Sequence, residues 1–129
     1  MTYSIVGVDL QTAQVGGAGE SCVGTLPVRV IYGVVPGKGA VHAQARLGAR
    51  GKDTAVMMLD DGAVPADIIA TITMTSFDAD AASRQYGIVD VHGNAAGFTG
   101  SQNGAYAGDV QGTHRTFVYS VQGNILTSE

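Results

Sequence analysis

The sequence lacks several features that would assign it to a familiar class of protein. Its 129 residues contain one cysteine, three prolines and no tryptophan, and charged residues make up 14% of the chain. A single cysteine, Cys22, cannot form an internal disulfide and gives no firm indication of redox compartment. No apolar run approaches the ~20 residues that a membrane-spanning helix needs. Seven Lys and Arg against eleven Asp and Glu leave a formal net charge of −4, which argues against nucleic-acid binding.

The remaining composition fits one soluble domain. A chain of this length can bury about two-thirds of its unfolded surface around one core. Its 45% content of hydrophobic residues excludes intrinsic disorder. We therefore expect a single domain over residues 1–129. The first residues, MTYSIVG, have neither the basic segment nor the apolar core of a signal peptide. The compartment stays open, because a longer precursor could carry an export signal that is cut away.

Hydrophobic periodicity predicts β-strands at both ends of the chain and helices between them. Gly62 and Pro65 divide the middle into two helices, because glycine often ends a helix and proline suits the first turn of the next. Since strands and helices do not alternate, we expect an α+β fold with helices packed on antiparallel sheets. The predicted helices are 52–62 and 64–74, and the predicted strands are 3–9, 14–20, 28–35, 40–45, 85–91, 95–100 and 113–123.

The last predicted strand is apolar on both faces. Phe117, Tyr119 and Val121 lie on one face and Val118 on the other. A strand of this kind is typically covered on both sides. Only one pair of helices is available to provide that cover, so we expect the rest to come from a C-terminal helical layer, a second chain or another copy in a homo-oligomer.

Familiar binding-site motifs do not match this sequence. The segment around Lys38 is not a phosphate-binding loop, because Tyr32 stands where that motif has glycine and Gly39 where it has Ser or Thr. The glycine-rich segment 16–19 leads into no helix and therefore misses the dinucleotide fingerprint. None of the three histidines shows metal-ligand spacing. We accordingly expect neither a metal nor a cofactor.

Thr2 has the sharpest chemical implication in the sequence. Removal of Met1 before this small residue would expose a threonine with a free α-amine. Such an amine can act as general base for its own hydroxyl, so that one residue supplies both nucleophile and base. Many proteins begin with Met-Thr without such chemistry, and Thr2 as an ordinary first residue of a strand is the competing interpretation.

Four segments together resemble a bacterial family of unknown function that is assigned to the N-terminal nucleophile (Ntn) hydrolase superfamily. The resemblance covers nearly the whole chain, and it implies a four-layer αββα sandwich, in which two antiparallel sheets face each other with helices outside. Members usually continue past the GNIL block into further helices, so the resemblance implies an incomplete helical layer in residues 1–129. The segments are TYSIVGVD (2–9), PGKGAVHAQA (36–45), SRQYGIVDVHGNAAGFTG (83–100) and YSVQGNIL (119–126).

The resemblance implies amide-bond hydrolysis with Thr2 as the catalytic nucleophile. The superfamily stabilises the oxyanion with backbone N–H groups or an Asn amide, for which Asn124 and the backbone near Ser21 are the candidates. Asp9 or Lys38 would tune the pKa of the amine, since a nearby charge shifts its protonation. Ordinary structural roles compete with these: a turn for Asp9, a solvated charge for Lys38 and a strand-end cap for Asn124.

If the hairpins pack as in that superfamily, a substrate pocket would form from side chains near the start of the chain. The mixture of aromatic and polar side chains expected in this pocket favours a small polar amide over a long acyl chain as the substrate. The expected lining residues are Tyr3, Tyr32, His42, Gln44 and Arg46.

Two alternatives stay open beside this hypothesis. The chain could be a catalytically silent assembly or binding module whose apolar strand pairs with a partner or a second copy. It could also be the leading chain of a self-cleaved precursor, in which case the nucleophile would lie after residue 129 and Thr2 would be structural.

Overall fold

The computed structural model describes residues 1–22, 24 and 26–128. Within these residues, strands occupy both ends of the chain and two α-helices lie in the middle. Short 3-10 turns at Val28–Ile31 and Ala81–Ser83 precede two of the strands. The elements are β1 (Thr2–Asp9), β2 (Gln14–Ser21), β3 (Tyr32–Val35), β4 (Gly39–Ala45), α1 (Ala49–Asp60), α2 (Pro65–Ile72), β5 (Arg84–Asp90), β6 (Ala95–Thr99), β7 (Gly108–His114) and β8 (Phe117–Asn124).

The strands form two antiparallel sheets of four. Sheet I has the order β2-β1-β8-β7, and sheet II has the order β3-β4-β5-β6. The first and last strands are neighbours in sheet I, where β1 pairs along its whole length with both β2 and β8. The predicted α+β class, with antiparallel sheets and helices, is confirmed.

Both helices pack on sheet II and form the larger apolar core. α1 buries Ala55 and Leu59, four residues apart, and α2 buries Ile68 and Ile72 at the same spacing, so each helix turns one apolar face to the sheet. Pro65 occupies the first turn of α2, as the sequence predicts. Facing residues of β4 and β5 complete the core: Val41, Ala43, Tyr86 and Ile88.

The space between the two sheets is apolar at one end and polar at the other. Along the inner face of β1, Thr2 and Ser4 are followed by Val6 and Val8, all of them buried. The valine end joins a second, smaller apolar core with Ala40, Val89 and Val118. The Thr2 end instead meets buried amide and hydroxyl side chains, and this half of the interior contains the candidate site.

The predicted helices 52–62 and 64–74 are α1 and α2 with ends shifted by one to three residues, and two predicted strands differ more. The predicted strand 28–35 begins as a 3-10 turn after Pro27, with the Val30 N–H donating to the Pro27 carbonyl over 3.1 Å, and becomes a strand at Tyr32. The predicted strand 113–123 is the end of β7 and most of β8, joined at a turn. β-Branched residues favour strands, but pairing and packing decide where a strand can continue.

The outer face of sheet I carries no helix among the described residues. Alternation along β1, β7 and β8 places a set of large apolar side chains there, between 38% and 63% exposed: Tyr3, Ile5, Val110, Phe117 and Val121. The last strand thus carries apolar side chains on a face that no described helix covers, and the helical layer, second chain or further copy expected to cover it stays a prediction.

Neither described helix is long and apolar enough to cross a membrane.

Candidate active site

Thr2, Ser21 and Asn124 lie side by side across three strands of sheet I. Thr2 is paired with Ser21 of β2 on one side and with Asn124 of β8 on the other. Directly opposed residues of antiparallel strands point to the same face, so all three side chains face the interior. The structure thus brings together three residues that are up to 122 positions apart in sequence and that the resemblance had linked.

The Thr2 hydroxyl is held by a hydrogen bond at the edge of the interior. Its Oγ1 lies 2.8 Å from Oγ of Ser21, and the residue is 8% exposed. The preceding Met1 is 43% exposed. The Met1 ammonium donates to Sγ of Cys22 over 3.0 Å, and this contact lowers the pKa of the Cys22 thiol. The residue that must be removed to free the Thr2 amine therefore lies at the surface.

Asn124 is buried and its amide is oriented by the facing sheet. Its Nδ2 donates to Oε1 of Gln85 over 3.0 Å. The same Gln85 oxygen accepts a hydrogen bond from Nε2 of Gln44 over 2.8 Å. A side-chain amide has two N–H groups, and the bond to Gln85 uses one of them.

A buried hydrogen-bonded network links the two sheets behind these residues. Ser4 donates to Oε1 of Gln44 over 2.6 Å and accepts from Nε2 of Gln122 over 2.6 Å. Gln85 is fully buried and donates to the Gly123 carbonyl over 2.8 Å and to Oγ1 of Thr99 over 2.9 Å. Buried amides with all partners in place are rigid, because breaking one bond leaves a polar group unsatisfied.

A cavity of about 150 Å³ opens beside Thr2. Its polar end is formed by Thr2, Ser21 and Gln44, and its remaining described wall is aliphatic. That wall comes from the 3-10 turn before β3 and from the residues at the end of β4: Leu26, Pro27, Val28, Val30, Ile31, Ala45 and Leu47. Ala45 has a positive φ of 69°, a conformation that non-glycine residues seldom adopt.

Asp9 and Lys38 lie far from Thr2. Asp9 is at the opposite end of β1, about 24 Å along the strand at ~3.4 Å per residue. It accepts from the Gln11 N–H, a bond that lowers the pKa of the Asp9 carboxyl, and from Oγ1 of Thr12. Lys38 pairs with Asp60 at 2.6 Å, at the end of α1. The structure thus brings neither residue to the Thr2 end of β1: Asp9 lies at the turn that follows β1, and Lys38 is ion-paired with Asp60.

Of the five expected pocket residues, Gln44 alone lines the described cavity beside Thr2. Tyr3 lies on the outer face of sheet I and donates to Glu20 over 3.0 Å. His42 and Tyr32 stack edge to face in the interior, with ring centres 5.3 Å apart. Arg46 is exposed and pairs with Asp80 at 3.2 Å. Successive residues of a strand alternate faces, which separates Tyr3 from Thr2.

Several site residues were missed from sequence. Gln85 and Gln122 hold the network, and the turn at Val28–Ile31 forms one cavity wall. A usable signal was the polar alternation Thr2, Ser4 and Ser120, Gln122, Asn124 at every second position, which indicates a polar inner face on both strands. Because the sequence predicts a strand over residues 28–35, it does not predict the turn that forms this wall of the cavity.

Among residues 1–22, 24 and 26–128, no group of three His, Cys, Asp or Glu side chains is arranged to hold a metal ion. The arrangement at Thr2 is one of hydroxyls and amides, which suits nucleophilic attack and hydrogen bonding to a carbonyl oxygen.

The chain is similar to proteins whose function is unknown. Residues 2–129 match a family described as a family of unknown function, DUF1028. The crystal structure of protein SPO2555 from Silicibacter pomeroyi, also assigned to DUF1028, has 31% identity and a TM-score of 0.84 over 98% of this chain. The match covers 56% of that protein, so this chain spans little more than half its length. No curated protein matches significantly. The chain belongs to the DUF1028 family of unknown function.

Proposed function

We propose that this protein hydrolyses amide bonds with Thr2 as an N-terminal nucleophile, the chemistry of Ntn hydrolases. The observation that carries the proposal is the position of the Thr2 hydroxyl. It lies 2.8 Å from the Ser21 hydroxyl at the polar end of an otherwise aliphatic cavity. The sandwich of two antiparallel sheets with helices is compatible with the αββα architecture of that superfamily.

The reaction begins after Met1 has been removed. The neutral Thr2 amine takes the hydroxyl proton, directly or through one water, while Oγ1 bonds to the substrate carbonyl carbon. The tetrahedral intermediate collapses, the C–N bond breaks and the proton passes to the leaving nitrogen. Water then attacks the Thr2 ester, and the products are a carboxylic acid and the regenerated hydroxyl.

Asn124 is the proposed donor to the oxyanion. It is the strand partner of Thr2, it faces the same interior, and its amide has one N–H beyond the bond to Gln85. Loss of one such donor typically costs a hundredfold to a thousandfold in rate. Ser21 positions the Thr2 hydroxyl through their mutual hydrogen bond.

The test is a comparison of position-2 variants that all permit Met1 removal, assayed with N-acyl 4-nitroanilides. We expect Thr2→Ser to retain activity, because the hydroxyl and amine are both present. Thr2→Val keeps the branched shape without the hydroxyl and should lower kcat/KM by at least about a thousandfold. Protein blocked by an extra N-terminal residue should lose activity similarly. Thr12→Val, in the turn after β1, is the matched control and should behave as the parent protein.

Retained hydrolysis by Thr2→Val or by the blocked protein would contradict the proposal. A hydroxyl-directed electrophile gives an independent result: it should label Thr2 in the processed protein, and labelling at another residue would also contradict it. Intact-mass measurement and N-terminal sequencing of protein from the complete gene distinguish the self-cleaved alternative. A second chain beginning with Thr, Ser or Cys would move the nucleophile away from Thr2.

A second candidate function is assembly without catalysis. The observation in its favour is the apolar outer face of sheet I, where Ile5 is 41% and Val110 63% exposed. The middle of this face carries no charged side chain in β1, β2, β7 or β8, so it fits an equally apolar surface. A second copy of this chain supplies one through two-fold symmetry. An inactive protein that dimerises through this face would favour this candidate.

A further inference from the structure

The wall of the cavity beside Thr2 is mostly aliphatic, whereas the pocket expected from sequence is lined by aromatic and polar side chains. Its polar side chains, those of Thr2, Ser21 and Gln44, lie together, because Thr2 is hydrogen-bonded to Ser21 and its carbonyl accepts from Gln44, and the other described wall residues are aliphatic. A substrate bound here would place its reacting carbonyl at the polar end and an apolar group in the body of the cavity. Small-molecule sites commonly combine an apolar lining with a few orienting polar groups.

The size of the cavity limits that apolar group. At about 150 Å³ it matches the volume of an aliphatic protein cavity that holds one benzene molecule. A group of roughly four to six carbon atoms therefore fills it. A single methyl group would leave most of the wall uncovered, and a long fatty chain would extend past it into solvent.

The charged side chains nearest the cavity lie outside its described lining: the Lys52 ammonium, for example, donates to the carbonyl of the lining residue Val30 over 2.8 Å. No Asp, Glu, Lys, Arg or His belongs to its described lining. Arg46 follows the lining residue Ala45 but is exposed and paired with Asp80 at 3.2 Å. Arg29, between Val28 and Val30, is likewise exposed. A carboxylate or ammonium group taken into the aliphatic body of this cavity would lose its hydration with no charged side chain in the described lining to pair with, which is strongly unfavourable.

The course of the reaction decides which side of the amide occupies the cavity. The acyl group stays bonded to Thr2 until water releases it, whereas the amine leaves first and takes up a proton. A departing amine needs access to water, and its protonated form gains nothing from an aliphatic wall. The cavity, which Thr2 itself lines, is therefore suited to the acyl side.

We propose that the substrates are amides of short aliphatic acids, with an uncharged acyl group of about four to six carbons held against Val28, Ile31 and Leu47. This inference rests on the hydrolase function proposed above, and it replaces the small polar amide expected from sequence.

The first experiment measures kcat/KM for 4-nitroanilides of acetic, butyric, 3-methylbutyric, succinic and decanoic acids with the processed protein. Each buried methylene should add about fourfold, so butyryl, with two more methylenes, should exceed acetyl by roughly fifteenfold. Succinyl, matched to butyryl in length but charged, should be at least about a hundredfold slower. A preference for succinyl, or a gain that continues unchanged to decanoyl, would overturn the inference while hydrolysis itself upheld the proposed function.

The second experiment separates binding from catalysis. Binding of 3-methylbutyramide and of succinamate to the Thr2→Val protein is followed by saturation-transfer NMR. We expect the apolar amide to bind and the charged one not to bind. Binding without hydrolysis by the parent protein would support the cavity assignment and contradict the proposed function. No binding of 3-methylbutyramide would overturn the cavity assignment.

Variants of Val28 test whether the ligand binds in the cavity. Val28→Phe should fill the space and abolish binding of 3-methylbutyramide. Val28→Thr conserves shape, carries less risk of misfolding and should weaken binding by placing a hydroxyl in the wall. The same substitutions at Val64, an exposed valine before α2, are the controls and should leave binding unchanged. Unchanged binding in Val28→Thr and Val28→Phe would place the ligand elsewhere and overturn the inference.

Discussion

His42 shows how one buried residue sets the chemistry of the interior between the sheets. It is 2% exposed, and its ring packs edge to face against Tyr32. Its Nδ1 lies 3.4 Å from Nε2 of Gln122, which can only donate, so the neutral ring carries its hydrogen on Nε2. Burial lowers the pKa of His42 to about 4. The residue is therefore a neutral acceptor in the network that supports Ser4 and, through it, the Thr2 end of the sandwich.

A pH dependence of stability follows from His42. Its pKa is about 6.5 in the unfolded chain and about 4 in the folded protein, so the unfolded state binds the extra proton between these values. The contribution of neutral His42 to the free energy of unfolding is fully present above pH 6.5 and is lost as the pH falls toward 4. At pH 4.5 the loss should be about 2–3 kcal/mol relative to pH 7.5.

Urea unfolding at these two pH values, in the parent and in His42→Gln, measures the contribution. Gln keeps an acceptor but does not titrate, so the variant should lose less stability on acidification by about the same 2–3 kcal/mol. Carboxylate effects are common to both proteins and cancel in the comparison. An equal loss in the two proteins would show that His42 titrates normally in the fold.

At the scale of strands, the close approach of β5 to β8 depends on Gly87. A Cβ at this position would overlap Oε1 of Gln122 and lie 2.8 Å from Oγ of Ser120. Both atoms belong to the buried network and cannot move aside without losing hydrogen bonds. The short distance between the sheets allows Gln85 to reach Asn124, so the packing of two strands positions the candidate oxyanion donor.

We expect Gly87→Ala to destabilise the protein by about 1–3 kcal/mol, because it overpacks a filled interior. It should also lower kcat by displacing Asn124. Gly16→Ala is the matched control: its added Cβ meets no atom within 4 Å, and the change should stay within about 0.5 kcal/mol. Chemical unfolding and anilide hydrolysis measure both effects. Equal stability of the two variants would show that the sheets have room to separate at Gly87.

At the scale of the molecule, the two sheets are covered unequally in the described residues. α1 and α2 lie on the outer face of sheet II and bury Leu59, Ile68 and Ile72. The outer face of sheet I presents Phe117 at 53% and Val121 at 38% exposure. Contiguous apolar surface of this kind is a common feature of interaction faces. This asymmetry is why assembly remains a candidate beside catalysis.

The asymmetry predicts concentration-dependent association through sheet I. The double substitution Phe117→Lys with Val121→Lys should shift the protein toward monomer in light scattering, while the unfolding free energy changes by no more than about 1 kcal/mol. Met57→Lys with Val64→Lys adds the same charge on the helical side, where these residues are 65% and 41% exposed, and should leave association unchanged. A parent protein that stays monomeric at all concentrations would contradict assembly through this face.

Local patterns were sufficient for much of the architecture. Periodicities of two and about 3.6 residues located most strands and both helices, because these patterns depend on neighbours within a few positions. Pro65 and Gly62 marked the boundary between the helices for the same reason. The apolar pattern of Phe117, Tyr119 and Val121 likewise anticipated an uncovered outer face. Composition limited the chain to a mildly acidic domain without a disulfide.

The cavity, and the face of the sheet to which the site side chains point, depended on contacts between residues that are distant in sequence. Thr2, Ser21 and Asn124 meet because β1 pairs with β2 and β8 in one particular register, and a shift by one residue would turn each side chain to the other face. The resemblance linked these residues, but it did not supply Gln85 or the aliphatic wall. Val28 and its neighbours have strand-forming side chains, yet they form a turn because packing against β4 outweighs a propensity worth at most about 1 kcal/mol. Short-range preferences are weak, so the details of a site belong to the long-range packing that brings its residues together.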